Sequence, residues 1–332
     1  MFKNKNIDYY LFIDRSKYYI KTINGRVFNM RKMKLGIHTY TLHINGLGQN
    51  WGFKGEYFPK RINLMQLMDL AVEWGLDGLH ITSCDLETKD DARLEEVAKA
   101  AKERGLYLEY NFSVDEEFDP RLNDSFENAA YVSHKLGADI ARESPIVGSS
   151  MCPHVMRQLI KIRDDITAAL PMIEKYGVTF ALENHTEIFI DELLWLVNQV
   201  NHPLVRVCLD TINSLDVCES LDDAVDRLAP YTVCVHFCDN KIVRDHHGFH
   251  FIGVALGEGD VDCQGYIDKI RKYAPTDRIN FEVEWDLGDD TLEVAQEKEL
   301  EACKKSIKFL REVLKIGRED EIPGIYATEI FN

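Results

Sequence analysis

From Met33 onward, short runs of β-branched and aliphatic residues alternate with longer segments whose apolar positions follow a helical repeat. Alternation with period two, or a short apolar run, marks a strand; a 3.6-residue period marks an amphipathic helix. The strand-then-helix unit recurs eight times, with strands expected to begin near Leu35, Gly78, Leu106, Asp139, Val178, Val205, Thr232 and Ile279. Helices are expected between them, among them Leu94 to Arg104, Ile166 to Tyr176 and a closing helix from Ala295 to Leu314. Several helices stop at a glycine (Trp74-Gly75, Arg104-Gly105, Leu136-Gly137, Tyr176-Gly177), the residue that adopts the left-handed backbone of a helix cap at least cost. Eight such units close into a (β/α)8 TIM barrel more naturally than they build an open sheet. The open, doubly wound alternative lacks a G-x-G-x-x-G turn after any strand.

Residues 1–32 read as an N-terminal extension and 33–332 as the barrel. The extension holds eight basic residues against Asp8 and Asp14. Tyr19 to Phe28 reads as two short strands about an Asn24-Gly25 turn. An accessory hairpin on the barrel floor, a poorly ordered lead-in and a functional basic arm all fit that pattern.

The 332-residue chain carries a formal net charge of −17, which opposes attraction to nucleic acid or an anionic membrane. It contains no apolar run of about 18 residues, so no membrane span is expected. Its N-terminus alternates charged and aromatic residues instead of holding the apolar stretch of a secretory signal. The eight cysteines include no C-x-x-C pair, and reduced thiols in a cytoplasmic protein are the expectation.

The candidate chemistry lies on the fifth to eighth strands, which read Val178-Thr-Phe-Ala-Leu-Glu183, Val205-Arg-Val-Cys-Leu-Asp210, Thr232-Val-Cys-Val-His236 and Ile279-Asn-Phe-Glu282. In each, the penultimate residue is bulky (Leu182, Leu209, Val235, Phe281) and suits the face beneath the helices. The residue before that is small or polar (Ala181, Cys208, Cys234, Asn280) and suits the crowded interior. Alternation then sends Glu183, Asp210, His236 and Glu282 inward at the C-terminal strand ends, where barrel active sites lie. Three carboxylates and an imidazole meeting there call for a divalent cation. Oxygen donors with one nitrogen suit Mn2+ best, with Mg2+, Co2+ and Zn2+ also open. Glu284 has the same parity as Glu282 and could replace it or act beside it as a base. The 46 residues from His236 to Glu282 imply a longer active-site loop.

At these residues the chain resembles the sugar phosphate isomerases/epimerases of the xylose-isomerase-like barrel superfamily. The resemblance runs from Met33 to about Gly317. It is carried by Lys34-Leu-Gly-Ile-His-Thr-Tyr40, Gly75-Leu-Asp-Gly-Leu-His80, Ala181-Leu-Glu-Asn-His185, Cys208-Leu-Asp-Thr-Ile-Asn213, Val235-His-Phe-Cys-Asp239, Gly253-Val-Ala-Leu-Gly-Glu-Gly259 and Phe281-Glu282. It implies one metal held by the residues matching Glu183, Asp210, His236 and Glu282, with the two glutamates exchanging protons with a carbohydrate substrate. This chain departs from many relatives at Cys238, where lysine or histidine is common, at Asn213, where epimerases have histidine, and at His80, where glutamate is common.

The expected reaction is metal-dependent isomerisation or epimerisation of a sugar, keto-sugar or sugar phosphate through an enediolate. The competing reading is a lyase on a 3-keto sugar, either a C-glycoside-cleaving larger subunit with a small partner subunit or a decarboxylase of keto-sugar acids. Glu183 and Glu282 are expected to combine ligation with acid and base duty, and His185 to contact the substrate or a ligand. Asp239 is a candidate to orient the His236 ring. Candidate substrate contacts are His38, Tyr40, His80, Asn213, Glu284 and, on the Lys241–His250 loop, Arg244 and His247. That loop also reads as a solvated one, and His38, Tyr40 and His80 also read as core polar groups. A homo-oligomer is expected.

Overall fold

The computed structural model describes residues 33–49, 58–114, 119–145 and 155–317, together with the backbone of Tyr19–Ile23 (β1) and Arg26–Met30 (β2). β1 and β2 pair antiparallel with Ile23 opposite Arg26. The expected Asn24-Gly25 turn and residues 1–18 lie outside the described residues.

The barrel strands are Lys34–His38 (β3), Gly78–Thr82 (β4), Tyr107–Phe112 (β5), Ile140–Glu143 (β6), Thr179–Glu183 (β7), Val205–Asp210 (β8), Thr232–Phe237 (β9) and, after a hairpin, Arg278–Phe281 (β12). All pair in parallel, and β12 closes the ring between β3 and β9. Each observed start lies within one residue of its expected position. The helices that follow are Leu64–Glu73 (α1), Asp91–Glu103 (α2), Phe126–Leu136 (α3), Val155–Tyr176 (α4), Ile190–Val200 (α5), Leu221–Leu228 (α6), Cys263–Tyr273 (α7) and Leu292–Glu312 (α8). α4 starts eleven residues before the expected Ile166, because Val155, Leu159 and Ile162 continue its buried stripe. The four cap glycines have φ between 65° and 73°, the left-handed backbone the pattern called for. Among the described residues, no helix is long and apolar enough to cross a membrane.

Strand alternation divides the interior into two cores. Leu182, Leu209, Val235 and Phe281 join the large outer core between strands and helices. Ala181, Cys208 and Cys234 form a separate small cluster inside the barrel with Ile140. The bulky residues thus bury their area against the helices, which stabilises by roughly 1.5–3 kcal/mol per side chain.

The barrel floor is polar and filled. Tyr107 crosses it, donating to Asn280 Oδ1 at 2.8 Å, while Asn280 Nδ2 donates to Glu109 Oε2 at 2.6 Å. The Arg278 guanidinium stacks 4.7 Å from the Tyr107 ring centre and grips Asp139 with two bonds of 2.9 and 2.8 Å. Glycine at position 36 makes room: a Cβ there would sit 2.2 Å from Tyr107 Oη and 2.9 Å from the Gly78 carbonyl oxygen.

The long connection after β9 is a hairpin of Asn240–Arg244 (β10) and Phe249–Gly253 (β11). Asp245 shapes its turn by accepting from the backbone N–H of His247 at 2.6 Å and Gly248 at 2.9 Å.

Candidate active site

The last residues of β7 and β8, the fifth residue of β9 and the residue after β12 bring Glu183, Asp210, His236 and Glu282 together, all buried. Asp210 stands beside His236 in the strand register. Asn184 joins the β7 and β8 ends beyond the ladder: its Nδ2 donates to the Asp210 carbonyl at 2.9 Å and its Oδ1 accepts from Asp210 N–H at 2.8 Å. The chain turns sharply after β8, so the N–H groups of Ile212 and Asn213 donate to Asp210 Oδ1 at 2.7 and 2.9 Å.

Two carboxylates converge on one ring nitrogen. His236 Nδ1 lies 2.8 Å from Glu183 Oε1 and 3.1 Å from Glu282 Oε2. Glu183 Oε1 is buried without a hydrogen bond. Its other oxygen is held by Ser144 Oγ, donating at 3.0 Å, and by the Arg142 guanidinium in a close ion pair. A buried carboxylate oxygen left orphaned is costly unless a cation takes it. The donor atoms of Glu183, Asp210 and His236 lie within 4.8 Å of one another, as do those of Asp210, Cys238 and Glu282. Oxygen-rich donors with one imidazole fit a divalent cation.

The electrostatics agree with that fit. Burial, reinforced by Glu282, pushes the Asp210 carboxyl up to about 7 despite its two backbone donors. Burial raises Glu282 as well, but His38, whose Nδ1 lies 3.0 Å from Oε2, together with Arg142 and His185 outweighs it and the net shift is downward. Burial, then Glu282 and Asp210, push Glu284 up to about 8. Burial, together with neighbouring positive charge, holds His236 and His80 well below the ordinary histidine range, so both are neutral imidazoles. Burial likewise raises the Cys238 thiol well above its ordinary value, so it stays protonated and donates to Asp210 Oδ2 at 3.4 Å.

His80 is fully buried, with Nδ1 3.0 Å from His236 Nε2. With Nε2–H of His236 donating across that gap, its Nδ1 lone pair faces the two carboxylates. Asp239 is otherwise engaged, which corrects the expectation that it orients this ring. It accepts from the N–H groups of Gly257, Gly259 and Val261 at 2.8, 2.9 and 3.2 Å and so shapes the approach to α7.

Above the ligand layer opens a cleft of about 330 Å³, counting its open mouth. Tyr40, His185, Asn213 and Glu284 line it along with Glu183, Asp210 and Glu282. His185 Nδ1 pairs with Glu187 Oε2 at 2.6 Å. His38, stacked on the His236 ring at 4.5 Å, lies beneath with His80. Arg244 and His247 are exposed on the β10–β11 hairpin and are not among the lining residues. Three lining residues were not anticipated: Gln49, Thr186 and Arg142. Arg142 was legible in principle, since it pairs in register with the inward-facing Ala181.

The xylose isomerase-like TIM-barrel family matches residues 68–313. An uncharacterised Escherichia coli protein, YihM, is 24% identical over 235 residues, a match covering 69% of this chain and 65% of that protein. The 3-oxo-isoapionate decarboxylase of Pectobacterium atrosepticum is 23% identical over 244 residues, covering 72% of this chain and 81% of the relative. Among solved structures, the IolI protein with a bound zinc atom superposes with a TM-score of 0.60 at 17% identity, covering 83% of this chain and 98% of that one. The D-psicose 3-epimerase of Clostridium cellulolyticum, solved with D-tagatose, superposes with a TM-score of 0.59 at 16% identity, covering 86% and 100%. These structural likenesses speak for the fold. With the closed parallel barrel and the family match over most of its length, the chain belongs to the xylose isomerase-like TIM-barrel family, as the sugar phosphate isomerase/epimerase resemblance implied.

Proposed function

We propose that the chain is a divalent-metal-dependent enzyme that moves a proton next to the carbonyl of a small keto-sugar, in the manner of a sugar isomerase or epimerase. The carrying observation is the convergence of Glu183 and Glu282 on His236 Nδ1, with Glu183 Oε1 buried there and without a hydrogen bond. Glu183, Asp210, His236 and Glu282 would hold the ion, Mn2+ by donor chemistry. A cation there would stabilise the negative charge that develops on a substrate oxygen as the neighbouring carbon loses its proton.

The chain's own groups do the rest. Glu282 is ionised near neutrality and borders the cleft, as a base must; Glu284 next to it holds its proton, as an acid must. Tyr40, His185 and Asn213 line the space a small polyol would fill. The decarboxylase among the relatives favours a second reading on the same apparatus, in which carbon dioxide leaves and a proton is delivered in its place.

The test is solvent-deuterium exchange into a panel of ketoses and 3-keto sugars, followed by NMR. Exchange is expected with Mn2+, and is expected to vanish on chelation and in the Glu183→Gln protein. Exchange that survives both treatments would refute the proposal.

A further inference from the structure

The two glutamates that meet at His236 are not equivalent, and the difference bears on which face of the substrate can exchange protons. Glu183 is fully buried. Its Oε2 takes both Ser144 Oγ at 3.0 Å and the Arg142 guanidinium, and its Oε1 points at the ligand set without a hydrogen bond. Arg142 is itself fixed from behind, its second guanidinium nitrogen donating to Asn111 Oδ1 at 2.7 Å. Glu282 is arranged differently. Its described contacts, from His38 and His236, both fall on Oε2, and among the described residues Oε1 accepts nothing. Glu284 follows two residues on and lines the cleft with it.

We propose that Arg142, with Ser144, is a positioning residue that commits Glu183 to ligation, so that protons are exchanged only from the Glu282–Glu284 wall. This rests on the proposed proton-transfer function and narrows it. A carboxylate can act as a base only through an oxygen with a free lone pair directed at the substrate. Glu183 Oε2 is taken by a guanidinium and a hydroxyl, and an ion held by the ligand set would take Oε1, which would leave Glu183 none. Inverting a carbon centre requires removal of a proton on one face and delivery on the other. One-walled exchange instead supports isomerisation between neighbouring carbons, or protonation after carbon dioxide is lost. In the exchange step, the electron pair of the C–H bond becomes the new carbon–carbon double bond and the carbonyl oxygen takes the charge. The hydron passes to Glu282 and returns to the face it left.

The probe is dihydroxyacetone, whose two hydrogens on each carbon are distinguishable by face. The Mn2+-loaded protein is incubated with it in D2O, and the positions of deuterium are read by NMR after conversion to a chiral derivative. Wild type is expected to wash in one hydrogen per exchangeable carbon, stereospecifically. Arg142→Met, which leaves Glu183 Oε2 with the Ser144 hydroxyl alone, is expected to wash in both, while Arg142→Lys, which keeps a cationic donor, is expected to restore specificity. Calorimetric titration with Mn2+ alone is expected to show all three proteins binding one ion. Wash-in of both hydrogens by wild type overturns the proposal, and so does loss of the ion in Arg142→Met, which would make Arg142 merely part of the scaffold. Wild type that binds Mn2+ but exchanges neither hydrogen refutes the proton-transfer function itself, and this inference with it. Ser144→Ala removes only the weaker donor and is expected to stay stereospecific; loss of specificity there would place the constraint on Ser144 instead of Arg142.

Discussion

Asp210 offers the most direct test of a site built for a cation, because its burial should cost stability when no cation is present. Its carboxyl is pushed from an ordinary value of 3.8 up to about 7. That difference corresponds to about 4 kcal/mol between the ionised and neutral forms in the folded protein. Because the folded value lies above the unfolded one, the protonated group favours the folded state. This contribution is complete below about pH 4 and is lost as pH rises through about 7. Asp210→Asn cannot ionise and keeps an oxygen for the Ile212 and Asn213 N–H groups. The metal-free Asp210→Asn protein should therefore exceed wild type by only about 1 kcal/mol near pH 4.5 and by about 4 kcal/mol at pH 8, the latter roughly 6 °C in Tm for a chain of this size. Adding Mn2+ at about a hundredfold over its Kd should raise wild type by about 2.7 kcal/mol and leave the variant unmoved. Thermal unfolding followed by circular dichroism, with chelator and with metal at both pH values, measures all of this. A variant destabilised equally at both pH values would show that Asp210 is an ordinary turn cap and refute the reasoning.

Two further perturbations probe the surroundings. His80→Leu removes the group facing His236 Nε2 and should weaken Mn2+ binding by about 10- to 100-fold with the far-ultraviolet spectrum unchanged, as calorimetric titration would show. Gly36→Ala drives a Cβ to 2.2 Å from Tyr107 Oη and 2.9 Å from the Gly78 carbonyl, and should destabilise by about 3 kcal/mol or more, read as a lower urea midpoint.

Much of this architecture was legible because barrel strands carry two signals at once. Alternation separated Leu182 and Leu209 from Ala181 and Cys208, and the structure sorts those same residues into the outer and inner cores. Height inside the barrel was harder to read. His80 and His236 each face inward, yet their contact depends on the stagger between strands, which is set by closure of the ring and leaves no local trace. Asp239 shows the converse, since a carboxylate three residues from a histidine looks like its orienter until the Gly257–Val261 backbone claims it. Arg142 has the right parity on β6, but a lone arginine on a four-residue strand says nothing of its partner until Glu183 is placed across from it. The β10–β11 hairpin resembles a loop in sequence, and in the structure its apolar residues Ile242, Val243 and Phe249 are exposed, so no alternation of buried and polar positions marks its strands.

The filled floor has a consequence for traffic. Tyr107, Asn280 and Arg278 pack against one another at the lower end, so that among the described residues the barrel is closed there by side chains. A reactant and its product would then share the cleft at the other end, which Tyr40, Gln49 and Asn213 help to line. Those three side chains therefore screen the outgoing molecule as well as the incoming one, and a change made there to admit a new reactant also alters how its product gets out.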